Sequence, residues 1–392
     1  MLQKKQIMFH HSLLFYDHNH NSLNIFWYMK KIIFCLAILT MAGCQTKKTE
    51  KKSDNHCVID VYPQKNEALL LSDFVDSVDF IKLETKNNEI ISNITKLQLF
   101  NNNIYILDRD RNSFFLFNKD GSFIEKVQNI GRGPGEYLQL VDFEVNDQGI
   151  FLLDYPNTIL HYNFDFEYLK KFNLGDVFTF TFSYYKDEFW ASNEEGSQNE
   201  LFHFSTINKK GVAKDTFIKK KFLNKEFSWH LGSEFNKLDS ILYFSPLFDN
   251  RIYIANGEDV QTAYTINFGK HSFPNDLNLF TTNIYAPDFD YALKQHFWVV
   301  ENYLIIDFLY GGERQFVFFD KKTKKTKYGT VDNDLIPRYR FLPFWNDGNT
   351  LIEIVDPTTI FEFFGSLKNE VYCLKSLSPD DNPIVILYHL KT

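Results

Sequence analysis

Apolar positions in this chain come in short runs that alternate with polar ones and are cut by turns rich in Asn, Asp and Gly. That is a strand rhythm. In "NNIYILDRDRNSFFLFNKDGSFIEKV" (Asn102–Val127) an apolar strand ends in Asp108, and a polar loop, a second strand, a turn near Asn118 and a third strand follow. "QGIFLLDYPNTILHYNFDFEYLKKF" (Gln148–Phe172) repeats the scheme, with Asp154 ending its first strand and a turn near Asn163. The period of about 46 residues is that of a four-stranded propeller blade.

Further copies follow at Asp187–Ile218, Asp239–Phe268 and Asn302–Val331. A sixth is split into "NTLIEIV" and, after a long insertion, "NPIVILYHL", and it lacks its outermost strand. Near the start, "SVDFIKLET" has no blade of its own. A ring of blades closes without an unpaired edge if Val78–Leu83 supplies the missing outer strand of the last blade. The expected fold class is therefore all-β, a six-bladed β-propeller over residues 58–392 closed by an N-terminal strand.

Composition agrees: of 392 residues 44% are hydrophobic and 17% aromatic, with 42 Phe and 21 Tyr, which favours strands around a sizeable core. The net charge of −8 conceals an asymmetry, because residues 1–56 hold eight Lys against three acids and the remainder stands at about −13. A net-negative body without a basic stripe excludes nucleic acid as the expected partner.

From Met29, the expected translation start, the text "MKKIIFCLAILTMAGC" has two lysines, an apolar run too short to span a bilayer comfortably, and small residues before Cys44. This end resembles a bacterial lipobox. The resemblance implies that residues 1–43 are removed, that Cys44 carries the lipid, and that attached acyl chains are the only membrane contact. The polar residues 44–57 then form a tether, on a membrane face the sequence leaves open. Export leaves Cys57 and Cys373 either as a disulfide or as two unpaired thiols.

"NIGRGPGEY", the preceding "IYILD", "YFSPLFDNRIY" and the terminal "DDNPIVILYHLK" resemble the bacterial six-bladed β-propeller lipoproteins, an NHL-like group. The resemblance implies the fold and a location in the cell envelope, lipid-anchored at the outer membrane. It supplies no catalytic residues.

The spacing of Gly131-Arg132-Gly133-Pro134-Gly135 fits neither a dinucleotide fingerprint nor a P-loop, and the alternating segment after it reads as a strand. The glycines suit a corner between blades. With strands lettered a to d from the axis outwards, the d-to-a crossings and b–c loops share one end of the ring. That end gathers residues 131–137, 108–112, 154–157, 193–198, 245–250 and 310–314. The insertion 356–382 belongs there too, long enough for a helix, with a Phe-rich half placed to cap the channel.

The candidate ligand-binding residues at this end are Arg109, Arg132, Glu136, Tyr137, Asp154, Tyr155 and Arg314. Arginines and carboxylates offer polar contacts and the aromatic rings flat ones, alongside Phe248 and Tyr310. Bland readings stand beside these. Arg132 and Glu136 would pair to join blades, and Asp108 and Asp154 would accept their own turns' amides. The acids Asp110, Glu194, Glu195, Asp249 and Glu313, with Arg111, complete the charged set. Scattered histidines give no metal spacing, no cofactor motif is present, and no G-x-S-x-G elbow occurs. Three function classes follow: a binding module for a glycan, peptide or envelope protein, a carbohydrate-active enzyme (glycoside hydrolase or lyase) using paired carboxylates, and a purely structural scaffold in an envelope complex with a flat end.

Overall fold

The computed structural model describes residues 56–63, 68–86, 89–220, 234–246, 249–256, 259–274, 282–363 and 371–392. Residues 1–55, with Cys44, and Phe248 lie outside them. The chain forms a six-bladed β-propeller of six mostly antiparallel sheets. Blade 1 is Ile94–Phe100, Asn103–Asp108, Ser113–Asn118 and Phe123–Val127, and blade 2 is Leu140–Asn146, Gly149–Asp154, Thr158–Tyr162 and Tyr168–Asn173. Blade 3 is Phe182–Tyr185, Glu188–Ser192, Phe202–Asn208 and Ala213–Lys219. Blade 4 is Phe235–Leu238, Ile241–Phe244, Arg251–Asn256 and Asp259–Asn267, and blade 5 is Leu293–Val299, Tyr303–Tyr310, Glu313–Asp320 and Thr326–Asp332.

Blade 6 combines Trp345–Asp347, Thr350–Val355 and Ile384–Leu390 with Val75–Lys82. The last strand pairs antiparallel with that early one, Ile386 opposite Phe80 and Tyr388 opposite Val78. The closure expected from Val78–Leu83 is formed, one strand registered three residues earlier at its start. Two short strands were not anticipated. Cys57–Asp60 adds in parallel to the outer strand of blade 4, and Ala68–Leu70 adds in parallel to that of blade 5. Cys57, assigned by sequence to the tether, is the first residue of the first strand.

Middle strands are mostly apolar because each blade is covered on both faces. In "SFFLFN", Phe114 and Leu116 pack with Phe143 and Leu152 of blade 2, while Phe115 and Phe117 pack with Ile352 and Val385 of blade 6. Blade 5 does the same, with Phe316 and Phe318 towards blade 6 and Val317 and Phe319 towards blade 4. Side chains that alternate between two buried faces make both faces of the pleat apolar.

The insertion in blade 6 contains a helix, Pro357–Phe363, and a 3-10 turn, Tyr372–Leu374. Ile360, Leu374 and Leu377 are buried with Trp298, Phe341 and Tyr388, and Phe361 packs on the same core. The helix thus roofs the seam of blades 5 and 6, while the side chains of 363–370 fall outside the described residues. Cys57 and Cys373 are both free thiols. Cys57 stands on blade 4, whereas the Cys373 thiol donates to Phe80 O at 3.2 Å on blade 6. Among the described residues no helix is long and apolar enough to cross a membrane.

Candidate binding face

Up-and-down strand order places the d-to-a crossings and the b–c loops at one end, here the crossing end. The glycine stretch is a corner there. Gly131 N–H donates to Tyr137 O and Tyr137 N–H to Asn129 O, each at 3.0 Å. Glu136 folds back so that its Oε2 accepts the Gly133 amide at 2.7 Å, and a Cβ on Gly131 would lie 2.0 Å from that oxygen. Gly135 sits at φ +75, and a Cβ there would meet Tyr168 Cβ at 2.9 Å. The segment opens onto a strand, Leu140–Asn146, so no helix N-terminus faces the loop.

Several sequence candidates are spent on this architecture. Tyr137 is fully buried; its hydroxyl accepts the Asn129 amide at 3.2 Å and reaches Val127 O at 3.1 Å, and burial pushes it up to about 12. It presents nothing to a ligand. Asp154 Oδ1 accepts the amides of Leu138 and Gln139 at 2.9 and 2.7 Å. Asp108 accepts from Ser92 and Arg111 at 2.7 and 3.1 Å. Only the Arg111 contact lies in the acid's own turn. The other amides belong to the crossing from the previous blade, so these aspartates latch blade to blade. Asn112 repeats the function, accepting from Leu140 N at 2.6 Å and donating to Leu138 O at 2.8 Å. Tyr310 is also buried and donates to Asp290 at 2.7 Å.

Two candidates converge. The Arg109 guanidinium lies 5.3 Å above the ring of Phe180, and Tyr155 stacks on the same ring at 4.6 Å and 17°. Arg109 and Tyr155 come from the b–c loops of blades 1 and 2, and Phe180 from the crossing into blade 3. All three are half-buried. Arg132 is exposed on the neighbouring corner, and no ion pair joins it to Glu136 among the described residues. Sequence reading missed Phe180 because nothing in "VFTFTF" tells the crossing ring from the strand rings.

Arg314 goes elsewhere. Its Nε donates to buried Asp307, its Nη2 to Pro343 O at 3.2 Å, and it lies between the rings of Phe316 and Phe344. Nδ1 of His296 stands 3.0 and 3.1 Å from the two Asp307 oxygens. Burial alone would raise Asp307, but His296 and Arg314 outweigh it and hold the acid at about 2. Glu353, also buried, is pushed up to about 7 by desolvation while accepting from Tyr339, Leu342 N and Tyr388 at 2.8, 2.9 and 3.1 Å. Lys294, 1% exposed, has one long bond among the described residues, to Pro246 O at 3.4 Å, and desolvation lowers it to about 8. The interruption of an apolar strand by Lys294 and His296 in "LKQHFWVV" was the available signal for this cluster.

Around the axis, polar side chains close the free edges of the innermost strands. Gln98 of blade 1 exchanges both bonds with the Val145 backbone of blade 2, at 2.9 and 2.6 Å. Asp142 and Glu144 of blade 2 accept the amides of Phe182 and Tyr184 of blade 3, each at 3.0 Å. Lys96 and Lys237 neutralise them at 2.6 and 2.7 Å. Asn236 of blade 4 accepts the Val299 amide of blade 5 at 3.1 Å. Among the described residues no group of three or more His, Cys, Asp or Glu is placed to hold a metal ion.

With this geometry in hand, a family model described as a domain of unknown function, DUF4934, matches residues 56–389. The chain belongs to the DUF4934 family. No curated protein matches it. Among solved structures, a Bacteroides fragilis protein described as exported is similar at TM-score 0.68 and 20% identity, over 86% of this chain and 100% of that one. A DUF4221 member from Bacteroides vulgatus is similar at TM-score 0.49 and 8% identity, over 81% and 97%. The first of these likenesses supports the DUF4934 chain's fold, and residue roles rest on the geometry above.

Proposed function

We propose that this DUF4934 protein is a binding module of the cell envelope that engages a glycan, peptide or partner protein through the crossing end of its ring. One observation carries the reading: Arg109, Phe180 and Tyr155, from two blades and a crossing, stack together half-buried while the Arg109 guanidinium makes no hydrogen bond or ion pair among the described residues. Stacked rings beside a guanidinium suit sugar faces and peptide side chains alike. Lipid attachment at Cys44 and an outer-membrane location follow from the "MKKIIFCLAILTMAGC" segment, and the exported relative from B. fragilis fits an envelope address.

Arrays of glycans and peptides probed with the soluble body test this. Specific capture that Arg109→Ala and Tyr155→Ala abolish is expected, and capture indifferent to both removes the face from consideration. Palmitate labelling of the full chain, lost on Cys44→Ser, checks the anchor.

A carbohydrate-active enzyme has one observation in its favour. Asp307 and Glu353 have ionisations pushed apart, the arrangement an acid and a base require. Their oxygens, however, are occupied by protein donors. Release of reducing ends from a glycan panel, lost in Glu353→Gln, would establish this reading, and no release from any member would remove it.

A further inference from the structure

Every one of the seven arginines lies at the crossing end. Arg109 and Arg111 occupy the b–c loop of blade 1, Arg132 the crossing into blade 2, and Arg338 and Arg340 the crossing into blade 6. Arg251 and Arg314 begin the third strands of blades 4 and 5, just past their b–c loops. Lysines, by contrast, are spread over inner strands, outer strands and the opposite end, and they make most of the ion pairs among the described residues: Lys96 with Asp142, Lys126 with Glu89, Lys237 with Glu144.

The two cations are thus divided by task. Arg251 grips Asp249 through two bonds and Arg314 is held by Asp307. The guanidinium groups of the other five have neither a hydrogen bond nor an ion pair among the described residues. Three of the acids nearest them are already occupied, while exposed Asp110 stands between Arg109 and Arg111 without pairing with either. Asp108 and Asp154 accept crossing amides, and Glu136 turns into its own glycine loop. An unspent planar fork is the group that takes a carboxylate or sulfate through two parallel bonds, which lysine cannot do.

We infer that the crossing end binds an anionic glycan, with Arg109 and Arg132 taking its carboxylate or sulfate groups and Tyr155 and Phe180 lying under a sugar ring. The inference rests on the binding-face reading above and narrows it to a ligand class. Charge favours a local site over general adsorption, because a body near −13 repels polyanions at long range. The aromatic stack favours sugar over an anion without an apolar face.

The test is titration of the soluble body with polygalacturonate, with chondroitin sulfate and with neutral dextran, the first two separating carboxylate from sulfate. Binding of one acidic chain about tenfold or more above dextran is expected. Arg109→Gln with Arg132→Gln should lower it about tenfold, Arg109→Lys should recover only part, and Lys324→Gln with Lys325→Gln at the opposite end should change it less than about twofold. Equal binding of dextran, or equal loss in the lysine variant, overturns the inference. So does capture of only neutral glycans or peptides in an Arg109- and Tyr155-dependent manner, which leaves the binding face standing. Capture of nothing across glycans and peptides removes both. Unchanged melting temperatures of the variants show that each loss is of contact and not of fold.

Discussion

The carboxylate of Asp142, on the innermost strand of blade 2, accepts the main-chain amide of Phe182 on the innermost strand of blade 3 at 3.0 Å. An inner strand has no neighbour towards the axis, so its edge amides need side-chain partners. Asp142 also receives Thr181 Oγ1 at 3.0 Å and Lys96 at 2.6 Å. Asp142→Ala strands a lysine and an amide together and is expected to cost about 3–5 kcal/mol. Asp142→Asn, which keeps an acceptor, should cost less. Denaturant unfolding of both variants measures the difference.

Ring closure gives a second expectation. A chain starting at Val61 loses only the added strand of blade 4 and should still melt in one transition at a lower temperature. A chain starting at Glu84 strips Ile384–Leu390 of its partner and leaves that edge open. It should lose cooperative unfolding and aggregate. Calorimetry on the two truncations decides it.

Gly135 offers the sharpest backbone test. Alanine there adds about 1–2 kcal/mol for the left-handed conformation and about 1–3 kcal/mol for the clash with Tyr168. Gly133→Ala, exposed and facing only the movable Glu136 carboxylate, should be close to neutral. Thermal melts of the pair suffice.

Glu353 sets a pH dependence. Its folded value of about 7 stands above the ordinary 4.5, so between those values the folded protein holds more protons than the unfolded chain. Stability from this group is complete below pH 4.5 and falls by about 3 kcal/mol as pH rises to 7. Glu353→Gln should flatten that slope. Asp307 acts oppositely, its contribution present above pH 3.8 and lost as pH falls towards 2. Melting curves against pH separate the two windows.

Lys294 is a charge held in the core, where among the described residues its ammonium has a single long hydrogen bond and lies over the Phe297 ring at 5.7 Å. Folding lowers it from 10.5 to about 8, so stability rises with pH between those values and is depressed below them. Lys294→Met should therefore stabilise the protein at pH 7 by about 1–4 kcal/mol. The gain should vanish above pH 10.5. No gain at neutral pH would mark the ammonium as better held than its single bond implies.

Much of the architecture was legible because a repeated strand scheme states its own period. The orphan "SVDFIKLET" and the sixth blade's missing strand each implied the other. The strands Cys57–Asp60 and Ala68–Leu70 were not legible, since an outer strand added in parallel buries few side chains and leaves little pattern. The candidate face was half legible. Loop co-facing followed from strand direction, which brought Arg109 and Tyr155 to one end. It could not reveal that Phe180 joins them, that Tyr137 turns inward, or that Arg314 spends itself on Asp307, because side-chain direction within a turn depends on contacts across blades.

The opening segments run along the outer edges of blades 4, 5 and 6 in succession before the first blade begins. Tension from anything fastened ahead of Cys57 is therefore borne first by the ladder of Cys57–Asp60 against Tyr264–Asn267, then by that of Ala68–Leu70, and only last by the closing strand. Two sacrificial straps thus stand between any such pull and the opening of the ring.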